Sequence, residues 1–222
     1  MLNALKPQLV KQSGKTTILM AKEASAYHLR INEMPCNQTL STHRLLLRPY
    51  TADDAPEACR LAGDVLIADT TMAIPHPYSQ EAAAGWIATH AKGFEQKTEM
   101  IFAIETKTDH QLTGTVSLLN ISSTHATAEL GYWISVENWG KGFCTEAVSR
   151  LIKFASEELG ITRFTALCFA RNPASARVME KAGMKREGYL VQHIFKNGCY
   201  EDLLLYGLVL PGRQESGLPL IT

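Results

Sequence analysis

The amino-acid sequence predicts an α/β or α+β chain built around one mixed, twisted sheet. Three observations carry this. The patterns run in the order strand, two helices, three strands, helix, strand, helix, two strands. A strand, a glycine-bearing turn, a long helix and another strand follow one another from Ala128 to Phe169. Two strands joined in that way need a parallel crossover. The chain then closes on a hairpin turned by Asn197-Gly198.

Each element has its own signal. Leu45 to Arg48 reads as a strand stopped by Pro49. Thr51-Ala52-Asp53-Asp54 is a helix start, with a threonine cap and acids in the first turn. Ser79 opens a second helix, with Glu81 early and Ala83, Trp86, Ile87 and His90 along it. Met100 to Glu105 and Leu112 to Asn120 form two strands of a hairpin, and Ala128 to Val136 is a third. Strand alternation puts Glu129, Gly131 and Trp133 on one face of it, and Leu130, Tyr132 and Ile134 on the other. The long helix runs from about Gly142 to Leu159, with the stripe Ala147, Val148, Leu151, Ile152 and Ala155, and Gly160 ends it. Thr162 to Phe169 is a strand. Asn172-Pro173 is an N-cap with proline at the first helical position, and Gly183 closes that helix. Tyr189 to Phe195 and Tyr200 to Leu210 are the closing strands. Residues 1 to about 40 lack such patterning and read as a tail, with one short helix around Lys22 to Leu29. Everything assignable begins after Met34, which makes it an alternative start.

Composition bounds the function. With 222 residues, 45% of them apolar, the chain suits one globular domain with tails. A formal net charge of zero argues against a nucleic-acid partner, which demands a basic face. The five cysteines, Cys36, Cys59, Cys144, Cys168 and Cys199, are odd in number and hold no C-x-x-C pair. They argue against a disulfide framework or a zinc site, and the seven histidines show no metal spacing. No apolar run near the start reaches the length of a signal segment or membrane span. The expectation is a soluble, cytoplasmic protein with no metal, no nucleic acid and no membrane partner.

The informative stretch runs from Ala128 to Ala147: a strand, then Trp139-Gly140-Lys141-Gly142, then a helix. A helix N-terminus presents unpaired N–H groups and a partial positive charge. Gly140 and Gly142 let backbone approach a bulky anion, and Lys141 adds charge. A pyrophosphate can be held this way. The turn is neither a P-loop nor a dinucleotide fingerprint, because the required glycine spacings are absent.

Three runs carry a resemblance: Glu129-Leu130-Gly131-Tyr132-Trp133-Ile134, Trp139 to Ala147, and Asn172-Pro173-Ala174-Ser175 through Met184. Together they closely resemble the GNAT acyl-CoA N-acyltransferases, in the branch of the RimJ and RimL ribosomal-protein N-terminal acetyltransferases. Thr42 to Pro49, Ile74-Pro75-His76-Pro77-Tyr78 and Gly198 to Leu208 with Asp202 are similar to that branch too. The resemblance covers about residues 42 to 210. It implies an α+β, GNAT-like single domain over 42–211, with tails at 1–41 and 212–222. The sheet it implies is mixed, mostly antiparallel, with about six or seven strands and about four flanking helices. Trp139, Gly142 and Cys144 take the first, fourth and sixth positions of the family's phosphate motif. Tryptophan at the first position suits the RimJ/RimL-like branch, and Cys144 is a mild departure.

The resemblance further implies acetyl-CoA as co-substrate. Backbone groups of Ile134, Ser135 and Val136 would align the pantetheine arm, and N–H groups of Gly140, Lys141, Gly142, Phe143, Cys144 and Thr145 would hold the pyrophosphate. Asn172 would contact the pantetheine. Glu129 matches the family's glutamate base, and Ser175 the serine that hydrogen-bonds the departing thiolate; Tyr132 and Tyr189 are other acid candidates. His76 and Tyr78 are candidates for the acceptor pocket, and Asp202 lies near it. The acceptor is an amine: a protein N-terminal α-amine, or a small molecule such as a polyamine. A non-catalytic acyl-CoA-binding module is the reading from another class. The protein is expected to be a monomer or a homodimer.

Overall fold

The computed structural model describes residues 38–211. The expected helix around Lys22 to Leu29, the alternative start at Met34 and the C-terminal tail lie outside the described residues.

Strands β1 (Leu40–Ser41) and β2 (Leu45–Arg48) lead through a 3-10 turn at Ala52–Asp54 into α1 (Ala55–Ala62). Helices α2 (Val65–Thr70) and α3 (Gln80–Gln96) follow, then β3 (Met100–Thr106), β4 (Leu112–Ser122) and β5 (Thr127–Ile134). A 3-10 turn at Val136–Asn138 precedes α4 (Phe143–Glu158), β6 (Arg163–Phe169), α5 (Pro173–Lys181), β7 (Lys185–Lys196) and β8 (Cys199–Val209). The eight strands form one sheet in the order β1-β2-β3-β4-β5-β6-β8-β7. Every pairing is antiparallel except β5 with β6, the crossover expected around α4.

The expectation of six or seven strands and four helices falls short by the two shortest elements. Two-residue β1, placed ahead of the expected domain start, is too short to show a period. Six-residue α2 shows only about one and a half turns of pattern; Asp64 caps it by accepting the Leu66 N–H at 2.8 Å. The caps at Ser79 and Asn172 form as expected, accepting from Ala82 N–H and Ser175 N–H. Strand β5 ends at Ile134 rather than Val136, because Val136 already opens a 3-10 turn.

Two apolar layers sandwich the sheet. Phe102, Ile104, Val116, Leu118 and Leu130 meet the inner stripe of α4 and Met179 of α5 on one face. Ala103, Leu112 and Trp133 meet α1, α2 and α3 on the other. Alternation along β3 and β5 thus sends neighbouring residues to opposite layers. On β5 it sends Glu129 toward the α1–α3 side.

Candidate active site

The site sits where the parallel pair comes apart. Strands β5 and β6 are in register at Thr127↔Arg163, Ala128↔Phe164 and Glu129↔Thr165, and there the pairing ends. Both strands continue, β5 to Ile134 and β6 to Phe169. The β6-facing edge of β5 beyond Glu129 therefore has no ladder partner. Two hollows open into this gap from opposite sides and share Tyr132, Trp133, Ser175, Thr70 and Thr71.

The first hollow, a cleft of about 480 Å³, lies against the N-termini of α4 and α5. Gly140 and Gly142 both adopt left-handed backbone, at φ 76° and 78°, and Gly142 caps α4. The earliest α-helical bond is Glu146 N–H to Gly142 C=O at 3.1 Å. The amides of Phe143, Cys144 and Thr145 have no intrahelical partner and line the cleft. The Cys144 side chain turns into the core, where burial pushes its thiol up to about 12.

Contacts that sequence reasoning missed fix this turn. Glu146, in the first turn of α4, accepts from Thr42 Oγ1 at 2.6 Å, from the Arg44 N–H at 2.9 Å and from Arg44 Nε at 2.7 Å. Burial works against its charge, yet these donors hold its carboxyl below the usual range. Arg44 also donates to the Lys141 carbonyl at 2.8 Å and stacks over Phe143. Arg177 and Lys181, one turn apart on α5, add two cations to the cleft wall. Their i, i+4 spacing was the available signal.

Of the expected cofactor-binding residues, Ile134, Trp139, Gly140, Gly142, Phe143, Cys144, Thr145, Asn172 and Ser175 line the cleft, while Ser135, Val136 and Lys141 do not. Ser135 is 1% exposed; its N–H donates to Thr113 C=O at 2.8 Å and its C=O accepts from Asn138 N–H. The Trp139 indole donates to the Ile134 carbonyl at 2.8 Å, closing the end of β5. Lys141 Nζ is turned to Asn138 Oδ1.

The second hollow, of about 400 Å³, lies on the α1–α3 face. Its walls are apolar and hydroxyl-bearing, among them Ile74, Tyr78, Trp86, Leu119, Thr115 and Ser117. Among the described residues, Glu129 is its single charged lining residue. The Glu129 carboxylate accepts from Asn120 Nδ2 at 2.9 Å. Asn120 has φ 50° and sits in an irregularity where the β4–β5 register shifts between Leu119 and Ser122. Such bulges re-aim side chains beside active sites. No local pattern around Asn120 signals this contact, which depends on the register shift between β4 and β5.

Tyr132 and Ser175 meet at the junction of the two hollows. Their hydroxyl oxygens lie 3.0 Å apart, and the Tyr132 hydroxyl also donates to the Ser175 carbonyl at 3.1 Å. Burial, reinforced by Cys144 nearby, drives the Tyr132 phenol far above its ordinary range, so it stays protonated. Tyr189 instead donates to Asp202, whose other oxygen accepts the Gln192 N–H at 2.7 Å. Asp202 thereby pins an irregularity in β7, and neither residue lines the hollows. Tyr78 lines the second hollow; His76 does not, its Nδ1 lying 3.1 Å from the Gly63 carbonyl. Among the described residues no cluster of three metal-ligating side chains occurs, and no helix is long and apolar enough to cross a membrane.

The sequence matches the acetyltransferase (GNAT) domain over residues 44–185. It is 33% identical to the N-acetyltransferase YoaA of Bacillus subtilis over 78% of this chain and 97% of that one. It is 30% identical to the ribosomal-protein-serine acetyltransferase of Escherichia coli over 61% of this chain and 72% of that protein. The fold superposes on RimL, a ribosomal alpha-N-protein acetyltransferase in complex with coenzyme A, with a TM-score of 0.73 at 20% identity. That superposition covers 78% of this chain and 98% of RimL. The chain belongs to the GNAT acetyltransferase family, in its RimJ/RimL-like part, and is an N-acetyltransferase acting on an amine.

Proposed function

We propose that the protein transfers the acetyl group of acetyl-CoA to the N-terminal α-amine of a protein. One observation supports this acceptor above others: among the described residues, the second hollow carries a single carboxylate between apolar and hydroxyl walls. A polyamine carries several cations and calls for several acids, whereas one α-amine calls for one. With a pKa of about 7.7–8.0, an α-amine also needs only a modest base.

The residues fit coenzyme A. The three open amides of α4, the left-handed glycines and the partial positive charge of a 16-residue helix suit a diphosphate. Arg177 and Lys181 supply further charge to the phosphates. The unpaired edge of β5 accommodates a pantetheine arm as an added strand, with Asn172 beside it. Ser135 serves this edge by fixing the turn through Thr113 and Asn138, and a backbone N–H at the end of β5 would polarise the thioester carbonyl. The bound cofactor supplies an activated acetyl thioester. Glu129, held by Asn120, takes the proton of the acceptor ammonium directly or through water. Ser175, hydrogen-bonded to Tyr132, donates toward the departing sulfur. Asn172 keeps Ser175 in place by accepting its N–H at 3.1 Å.

An acceptor screen read by mass shift tests the assignment. Peptides with an unblocked α-amine should gain one acetyl group, and the same peptides blocked at the N-terminus should gain none. Turnover of spermidine but no peptide would replace the α-amine by a small-molecule acceptor. Binding of acetyl-CoA with no acceptor modified would favour a binding module.

A further inference from the structure

Apart from Thr70, which ends α2, one wall of the second hollow belongs to no regular element. Residues 70–75 run along it without a break, between α2 and the cap of α3. The Thr70 and Thr71 hydroxyls tie its start to α2, donating to Leu66 and Ile67 carbonyls at 2.7 and 2.8 Å. Farther along, among the described residues, the segment's carbonyls receive one side chain from elsewhere. Lys196 Nζ donates to the Thr71 carbonyl and, at 3.2 Å, to the Ile74 carbonyl. Lys196 is the last residue of β7, held by the Asn197-Gly198 turn, both of whose residues are left-handed.

A second clamp runs alongside. Arg171, just after β6, pairs with Asp69 at the end of α2 through Nη1 at 2.7 Å. Its Nε also pairs with Glu201 of β8 at 2.9 Å. The closing hairpin is thereby tied to the wall through Lys196 and, by way of Arg171, to Asp69 just ahead of it, although none of its residues lines that hollow.

We propose that Lys196 is a positioning residue for the acceptor: the C-terminal hairpin uses its ammonium to hold the 70–75 wall of the acceptor hollow in place. This rests on the reading of that hollow as the acceptor site. A carbonyl pair left half-buried without its donor is costly, so the wall moves once the ammonium is gone. A displacement near an ångström can cost up to about 10²-fold, and a wall of the acceptor hollow places that cost on the fit of the acceptor. Met72 to Pro75 line the second hollow and not the cofactor cleft, while Thr70 and Thr71, which line both, keep their own hydroxyl ties to α2, so the change falls chiefly on the acceptor side.

The test compares full-length K196M and K196R with the natural chain. K196M should raise the KM for the best peptide of the screen by about tenfold and leave the KM for acetyl-CoA within about twofold. K196R, which can still donate to both carbonyls, should return the acceptor KM to within about threefold of the natural value. Amide hydrogen exchange should speed up by about tenfold or more across residues 65–78 in K196M, with β4 and β5 unchanged. An unchanged acceptor KM, or equal rises in both KM values, would overturn the proposal. If no peptide is turned over, the α-amine reading fails on its own. Exchange then still decides the strap: unaltered protection of 65–78 sinks it. Should K196M not fold, K196Q carries the same comparison.

Discussion

Gly142→Ala puts a number on the turn that opens α4. Gly142 holds φ 78° and ψ 5° as the helix cap. A residue with a Cβ pays about 1–2 kcal/mol for that left-handed conformation. The added Cβ would meet only Arg44 Nη2, at 3.5 Å, an ordinary contact, so the loss is backbone strain alone. The strain has two destinations. If the variant keeps the turn, the folded state carries it, and the Tm falls by roughly 2–8 °C at about 2–4 °C per kcal/mol for a domain of this size. If the turn relaxes, the amides of Phe143, Cys144 and Thr145 swing away. Acetyl-CoA must then restore them, and its Kd weakens by roughly 5–30-fold. Gly160→Ala is the matched control. Gly160 has φ 74°, open space around a Cβ, a place at the other end of the same helix and no part in either hollow. It should lose the same Tm with an acetyl-CoA Kd within about twofold. Thermal melts and isothermal calorimetry on the two variants decide it. A Gly142→Ala protein with Tm and Kd both unaltered would refute the reasoning, as would equal weakening of binding by Gly160→Ala.

Three further outcomes follow from the same geometry. Glu129→Gln should lower kcat by about 10²–10⁴-fold with acetyl-CoA affinity intact, measured by coenzyme A release; full turnover at neutral pH would end the base assignment. Cys144→Ala removes a side chain that packs into the core, so it should cost stability of about 1 kcal/mol while the acetyl-CoA Kd stays within about twofold; a large loss of affinity would mean the thiol, not the amide, faces the cofactor. His90 stacks on Trp86 with its ring nitrogens buried and unpartnered among the described residues, and burial lowers its pKa to about 4. The unfolded chain binds a proton that the folded chain refuses, so the His90 contribution is complete above about pH 6.5 and drains away as pH falls toward the folded value. Urea unfolding of His90→Phe at pH 7 and pH 5 should show a flatter slope than the natural chain, and an equal slope would contradict the assignment.

Period and punctuation made most of the fold legible. The stripe from Ala147 to Ala155 is long enough to declare a helix, and Asn172-Pro173 and Asn197-Gly198 are local devices whose geometry depends on their own residues. Strand β1 spans a single alternation and helix α2 about one and a half turns, too little to declare a pattern, so only tertiary packing reveals them. The glycine turn ahead of α4 was readable because a helix start with glycines is a local feature. The side chains that steady it were not. Arg44 reaches Glu146 across 102 positions, and Lys196 reaches Thr71 across 125, so no window along the chain holds either pair. Ser135 shows the opposite limit: its place in the motif suggested a cofactor contact, yet packing turned its amide inward to Thr113. The separation of β5 from β6 past Glu129 has no sequence signature at all, because each strand keeps an ordinary pattern.

The claim beneath the whole account is that unpaired amides at the start of α4 hold the cofactor's diphosphate. Amide-resolved NMR on nitrogen-15-labelled protein, titrated with coenzyme A and then with pantetheine, reads those groups directly. Coenzyme A should produce large shifts at Gly142, Phe143, Cys144 and Thr145 that pantetheine, lacking the diphosphate, does not. Saturating coenzyme A that leaves these four resonances in place would contradict it.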